Sequence, residues 1–340
     1  MSIRLPYISV EVNENCNQSC CFCYNNKVSQ SEYHQSNYAQ LRRLLVTLYK
    51  QARPERVVFT GGEPLLEPRI AEIVLFCKMR KSAVSIITNG TAATKNVYKD
   101  LILLQTDLFQ LPVHSFNAEA HDKMTGLKGS WEKSVNSILQ IKSLGGRVVP
   151  VIVITRHNVK EIDKTVQFII SLGIKELMLN RFNFSENAGK EAAGMSASKS
   201  ELNQAYTAVN TLARDNAMKV SSNVNTPYCV LRPSEYPFIR FSGCASDILR
   251  NPITTDIHGN LRKCNHSNVV AGNIFRTSIE EILRSDYLKS WNEIIPDFCK
   301  KCSDWPQCRG GCRAAAERTG GNISLPDPMV LLLSENQQLV

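Results

Sequence analysis

Cys16-Asn17-Gln18-Ser19-Cys20-Cys21-Phe22-Cys23 puts three thiols, at 16, 20 and 23, in one short loop. The loop directly follows an apolar run, Tyr7–Val12, that reads as a strand. Thiolates converging from a single loop suit an iron–sulfur cube. The spacing C-x3-C-x2-C gives three ligands for four irons, so one iron keeps an open coordination position. Such a position marks a reactive metal centre rather than a sealed structural one. A structural zinc loop or a few buried thiols remain open alternatives on spacing alone. Cys21 is read as a non-ligand facing the other way.

Beyond the loop, strand-like and helix-like segments alternate. After Tyr7–Val12, strands are predicted at Arg56–Thr60, Ala83–Thr88, Leu108–His114, Val148–Ile154 and Glu176–Asn180. Between and after them, helical spacing covers Tyr38–Ala52, Arg69–Lys81, Asn96–Leu104, Trp131–Leu144, Glu161–Leu172 and Ser198–Asn216. In the first helix Leu41, Leu44, Leu45 and Leu48 form an i, i+3, i+4, i+7 stripe. Six such units predict a parallel sheet with right-handed crossovers, curved toward a barrel. Six fall short of the eight that close one, so the expected fold is α/β, an open partial (β/α)6 barrel. Three predicted strand ends carry chemistry: Thr60-Gly61-Gly62-Glu63-Pro64, Thr88-Asn89-Gly90, and Ser115. Each alone is ordinary turn composition. Together they lie on the rim where parallel β/α barrels place their sites.

The 340 residues carry a formal charge of +9 and twelve cysteines. No Lys/Arg block is dense enough for a nucleic-acid tract, which argues against a nucleic-acid partner. No stretch approaches the ~20 apolar residues that cross a bilayer, and no signal-peptide pattern opens the chain. A cytoplasmic protein without a membrane partner is therefore expected, and in that compartment the cysteines serve metal or catalysis rather than disulfides. Eleven of the twelve fall at 16–23 and 229–312; Cys77 stands apart. After about residue 220 the β/α rhythm gives way to turn-rich, cysteine-rich sequence of the kind that needs metal to fold. The predicted domains are 1–218, the barrel, and 219–340, a small irregular cluster-binding domain whose tail from Ser324 is loosely held. Its spacing is Cys244-x14-Gly259-x4-Cys264, then Cys299-x2-Cys302-x5-Cys308-x3-Cys312. In isolation this suits zinc or iron–sulfur equally.

The three-cysteine spacing, with Gly61-Gly62-Glu63 on the next strand, resembles the radical S-adenosylmethionine (SAM) superfamily over residues 5–216. The resemblance implies a 4Fe–4S cluster on Cys16, Cys20 and Cys23 whose free iron is chelated by SAM. It puts Phe22 near the adenine and directs Gly61, Gly62 and Glu63 to the SAM ammonium group. Asn89 and Ser115 then face ribose and methionine. The later cysteines resemble the SPASM domain, which holds two auxiliary 4Fe–4S clusters. By that analogy Cys229, Cys244, Cys264 and Cys312 hold the first, and Cys299, Cys302 and Cys308 the second. The family's last cysteine is replaced here by Met329, in Pro326-Asp327-Pro328-Met329. A thioether is a weak ligand for an oxidised cluster, which leaves Asp327, an open iron, or no second cluster.

The implied activity is reductive cleavage of SAM to a 5′-deoxyadenosyl radical that takes hydrogen from a substrate. Most SPASM-type relatives modify peptides, so a ribosomally made peptide undergoing modification or cross-linking is the first expectation. A flavodoxin or ferredoxin is the expected electron donor. The second expectation is a dehydrogenase, epimerase or decarboxylase of a small molecule such as a sugar, nucleoside or aminoglycoside. A non-enzymatic iron–sulfur or zinc scaffold does not account for the Gly-Gly-Glu turn. Asn265 stands where the formylglycine-forming branch has a catalytic Asp, and an amide is no base. No other residue is singled out as a catalytic acid or base. The first strand lies close to the N-terminus, so leader recognition would need a separate partner or another mode.

Overall fold

The computed structural model describes residues 3–25, 37–184, 194–244 and 253–331. Strands β1 (Ile3–Leu5), β2 (Ile8–Glu11), β3 (Ala52–Pro54), β4 (Arg56–Thr60), β5 (Ala83–Ile87) and β6 (Leu108–Pro112) come first. They are followed by β7 (Val148–Ile154), β8 (Glu176–Arg181), β9 (Lys219–Ser222) and β10 (Ile239–Phe241), then β11 (Ile253–Thr255), β12 (Asn260–Arg262) and β13 (Val270–Asn273). Eleven of them form one sheet, in the order β10-β9-β8-β7-β6-β5-β4-β2-β11-β12-β13; β1 and β3 pair separately. From β2 to β10 every neighbouring pair is parallel. The fold is the open, partial (β/α)6 barrel that the alternation predicts.

The helices form for the reasons the sequence gives. Leu41, Leu44, Leu45 and Leu48 of helix Tyr38–Gln51 are all buried, so the stripe is its core face. Helix Lys199–Asp215 opens on a capping box: the Ser198 side chain accepts from Glu201 N, and Glu201 reaches back to Ser198 N. β4 buries Val57, Val58, Phe59 and Thr60 in succession, as a strand covered on both faces does.

Two features go beyond the predicted rhythm. β9 and β10 extend the sheet past β8, but they are short and carry Lys219, Ser221, Ser222 and Arg240, so no apolar run announces them. At the opposite edge β11 pairs parallel with β2, Ile253 beside Ile8, and β12 and β13 follow antiparallel. The cysteine-rich lobe therefore continues the barrel sheet. Glu11 of β2 and Arg262 of β12 form an ion pair buried at that seam.

The expectation of a loose tail from Ser324 is corrected. Asp327, Met329 and Val330 are buried, because the Asp327 carboxylate is drawn into the core by a buried arginine described below. Residues 332–340 lie outside the described residues.

Candidate metal centre

The three-cysteine loop is held from below by main-chain bonds. Ser19 N donates to Thr125 O at 3.0 Å, Cys21 N to Met124 O at 3.0 Å, and Cys23 N to Cys20 O at 3.0 Å. Gly126, the left-handed cap of helix Ala118–Thr125, lies so close that a Cβ there would be 2.2 Å from Ser19 Oγ. Cys16, Cys20 and Cys23 are partly buried thiols outside any disulfide, and Cys21 is exposed. Burial pushes the Cys16 thiol up to about 11 and Cys20 well above its ordinary value; the neighbouring cysteine charges, Cys23 and Cys16, add to the rise at Cys20. Such thiols ionise when a cation joins them, which couples their deprotonation to metal binding. Among the described residues no three His, Cys, Asp or Glu side chains converge as one metal ion would need.

The Gly-Gly-Glu turn at the end of β4 abuts the lead-in to this loop. Gly62 N donates to Asn13 O at 3.0 Å and Glu63 N to Asn15 O at 2.7 Å. A Cβ on Gly62 would sit 1.9 Å from Asn15 O, so only glycine lets the two chains approach this closely. Glu63 is fully buried. Its Oε1 accepts from Thr88 Oγ1 at 2.6 Å and Leu65 N at 2.9 Å, and its Oε2 from Asn89 N at 2.6 Å. Burial raises the carboxyl to about 7, against those three donors, which pull it down. Glu63 thus organises the rim, tying the β4 end to the β5 end.

Asn89 completes the link to the cysteines. Its Nδ2 donates to Asn17 Oδ1 at 2.7 Å and approaches Cys16 Sγ at 3.9 Å. Phe22 packs edge-on against His114, ring centroids 4.5 Å apart, and His114 stacks on His121 at 5.3 Å. Burial lowers both imidazoles, His121 to about 4 and His114 well below its usual value, so both are neutral. The neighbouring Ser115 is buried; its hydroxyl accepts from Asn117 N at 3.0 Å and its carbonyl from Trp131 Nε1 at 3.0 Å. The structure thus joins Cys16, Glu63 and Asn89 in one network and places Phe22 beside the Ser115 strand end. Asn13, Asn17, Thr88 and His114 belong to this rim and were not singled out; Thr88 and His114 were visible as ends of predicted strands.

In the lobe, Tyr24 follows Cys23 directly. Its ring lies 4.3 Å from His266, its hydroxyl takes Asn265 Nδ2 at 3.4 Å, and its carbonyl accepts from Arg318. Asn265 also accepts from Thr254 Oγ1. Cys244, Cys264 and Cys312 form one group. Burial raises Cys264 to about 12 and Cys244 to about 11, and the charge of Cys312 adds most to the rise at both. Asn183 Nδ2 lies 3.5 Å from Cys312 Sγ and 2.8 Å from His266 Nδ1. At Cys229, which the resemblance puts in this group, burial raises the thiol to about 11, and the charge of Cys308 adds to the rise. Asp327 is committed elsewhere: its Oδ2 accepts from Arg181 Nη2 at 2.5 Å and Cys312 N at 2.7 Å, and its Oδ1 from Met329 N at 3.0 Å. The Met329 sulfur accepts from Ser196 Oγ at 3.0 Å inside the core.

Residues 10–169 match the Radical SAM superfamily. The chain carries a radical SAM domain. It is 22% identical over 349 residues to "PqqA peptide cyclase" of Xanthomonas euvesicatoria pv. vesicatoria, covering 97% of this chain and 89% of the relative. Among solved structures it resembles Streptococcus suis SuiB bound to precursor peptide SuiA, with TM-score 0.74 and 16% identity over 96% of this chain and 75% of that one. It also resembles anSMEcpe with bound AdoMet and Cp18Cys peptide, with TM-score 0.74 and 17% identity over 97% and 95%. The chain is an enzyme of the radical SAM type, and that superfamily uses a 4Fe–4S cluster and SAM. The all-thiol donor set of the loop fits the cluster chemically.

Proposed function

We propose that this enzyme modifies a peptide, with Cys16, Cys20 and Cys23 holding the SAM-binding cluster and further cysteines of the lobe holding auxiliary clusters. The supporting observation is the three-cysteine loop locked to the Gly-Gly-Glu turn through Asn13, Asn15 and Asn89. The peptide reading draws on relatives whose names and bound molecules are peptides or peptide cyclases. When bound, the cluster and SAM supply a 5′-deoxyadenosyl radical that abstracts hydrogen from an unactivated C–H bond. The chain's own residues position and shield. Phe22 and the neutral His114 offer an apolar, uncharged wall for an aromatic base. Gly61 and Gly62 allow main chain to reach a ligand, and Glu63 fixes their orientation. In this reading a reduced flavodoxin or ferredoxin is the electron donor and the cytoplasm is the compartment, where thiols stay reduced for metal. Among the described residues no helix is long and apolar enough to cross a membrane.

The loop's chemistry is tested first. Anaerobically reconstituted and reduced protein is expected to convert SAM to 5′-deoxyadenosine, and the Cys16→Ala/Cys20→Ala/Cys23→Ala variant is expected not to. The peptide reading is tested by incubating the enzyme with synthetic peptides from the short reading frames beside its own. Loss of hydrogen from one of them, seen by mass spectrometry, supports it. Turnover of SAM with no change in any such peptide, but oxidation of an added sugar or nucleoside, would replace it with the small-molecule reading.

A further inference from the structure

We infer that Cys229, Cys299, Cys302 and Cys308 form one complete four-thiolate site, leaving Cys244, Cys264 and Cys312 as a separate three-thiolate site with one open corner. The inference rests on the reading that the lobe holds iron–sulfur clusters and assigns the ligands within it. Seven cysteines lie beyond residue 220, and two fully thiolate-bound cubes need eight. The missing eighth is therefore absent from the Cys244 group, not from the group that Met329 would have completed.

The packing of residues 225–229 carries the assignment. Tyr228 N donates to Cys308 Sγ at 3.3 Å, placing the residue before Cys229 on that sulfur. Asn225 Nδ2 donates to Cys308 O and Gly311 O, both at 2.9 Å. A Cβ on Gly311 would meet Pro227 at 2.6 Å, so the two loops are in direct contact. Pro227 O accepts from Val230 N at 2.8 Å and Leu231 N at 3.0 Å, a tight turn that includes the exposed Cys229. The Cys299 sulfur lies on the same loop, 3.3 Å from where a Gly310 Cβ would be. Cys302 N donates to Cys299 O at 3.1 Å, which keeps those two cysteines on one tight turn.

The two sites also differ in surroundings. Cys229 and Cys302 are exposed, so the four-thiolate site opens to the surface, where an electron can enter. Around Cys312 the wall is polar and sealed: Asn183 Nδ2 contacts its sulfur, and Asn183 Oδ1 is buried without a hydrogen-bond partner among the described residues. Met329 and Asp327 are unavailable to either site, since one packs on Ser196 and the other is held by Arg181.

The experiment uses the full chain with Cys16, Cys20 and Cys23 changed to Ala, reconstituted with iron and sulfide. Iron per chain and the EPR spectrum after reduction are measured. In this background Cys299→Ala/Cys302→Ala/Cys308→Ala is expected to remove one cluster, and adding Cys229→Ala should change nothing further. Added instead to Cys244→Ala/Cys264→Ala/Cys312→Ala, Cys229→Ala should perturb or remove the one cluster that is left. The reverse pattern overturns the assignment. No iron in the parent background overturns the cluster reading itself, and the assignment with it. Cys229→Ser in the otherwise native chain guards against a folding failure. It should shift the same auxiliary EPR signal that Cys299→Ser shifts, and a shift shared with Cys264→Ser instead refutes the inference.

Discussion

The buried pair Arg181–Asp327 offers the sharpest test of how the lobe is fastened to the barrel. Arg181 ends β8, Asp327 lies 146 residues later, and their side chains are 2% and 0% exposed. Arg181 also donates to Thr226 Oγ1, Phe182 O and Asn225 O. Asp327→Ala leaves the guanidinium buried without its counter-charge, a change that costs about 3–5 kcal/mol. The orphaned N–H groups of Cys312 and Met329 push the cost to the upper end of that range. At about 2.1 cal/mol/K of unfolding entropy per residue, a chain of 340 residues has roughly 0.7 kcal/mol/K. The melting midpoint should therefore fall by about 4–7 °C. Scanning calorimetry of the reconstituted protein at one fixed rate measures it. Replacing both partners, Arg181→Met with Asp327→Leu, should recover more than half of the loss, because no charge then remains buried. Iron content should be unchanged in every variant if Asp327 is a clamp and not a ligand. A fall in midpoint below about 1 °C, or loss of iron with Asp327→Ala, would refute the reasoning.

Glu63→Ala should weaken SAM binding about tenfold to a hundredfold without removing iron, since it frees Thr88 and Asn89 but touches no cysteine; equilibrium dialysis with reconstituted enzyme reads this. Glu63 is raised in the fold from 4.5 to about 7, so its neutral form is favoured there. Its contribution in SAM-free protein is complete below about pH 4.5 and is lost as pH rises through about 7, and Glu63→Gln should flatten that part of the stability–pH curve. Gly62→Ala forces a Cβ onto Asn15 O and should displace the cysteine loop, seen as loss of the SAM-cleaving activity with the lobe's iron retained.

The parts of this molecule legible in sequence are those with a local signal. The leucine stripe of Tyr38–Gln51 and the apolar runs of β4 and β7 have a period or a composition that no distant residue alters. Three thiols within eight residues likewise need no tertiary knowledge to meet. The partner of Cys229 is a different matter. It depends on a loop contact spanning 83 residues, between two segments with neither helical nor strand period. The docking of Asp327 spans 146 residues and turns on one buried arginine at the end of a strand. Glu63 was visible as a motif, but its environment was not. A sequence shows that a carboxylate stands at a strand end, while only the fold shows that two donors from the end of β5 join one from its own turn to enclose it.

The join between barrel and lobe has a mechanical consequence for the cluster loop. Tyr24 is covalently one residue from Cys23, yet its ring, hydroxyl and carbonyl are held by His266, Asn265 and Arg318 of the lobe. Two of those residues directly follow Cys264, and Arg318 lies on the helix that begins just after Cys312. The same lobe joins the sheet through β11 on β2, the strand that leads into Cys16. The cysteine loop is thus gripped by the lobe at both ends, before Cys16 and after Cys23. A lobe that takes its shape from metal binding would then set the geometry of the SAM-binding loop as well. This coupling requires no electron to pass between clusters, because it is carried by hydrogen bonds and packed rings already in place.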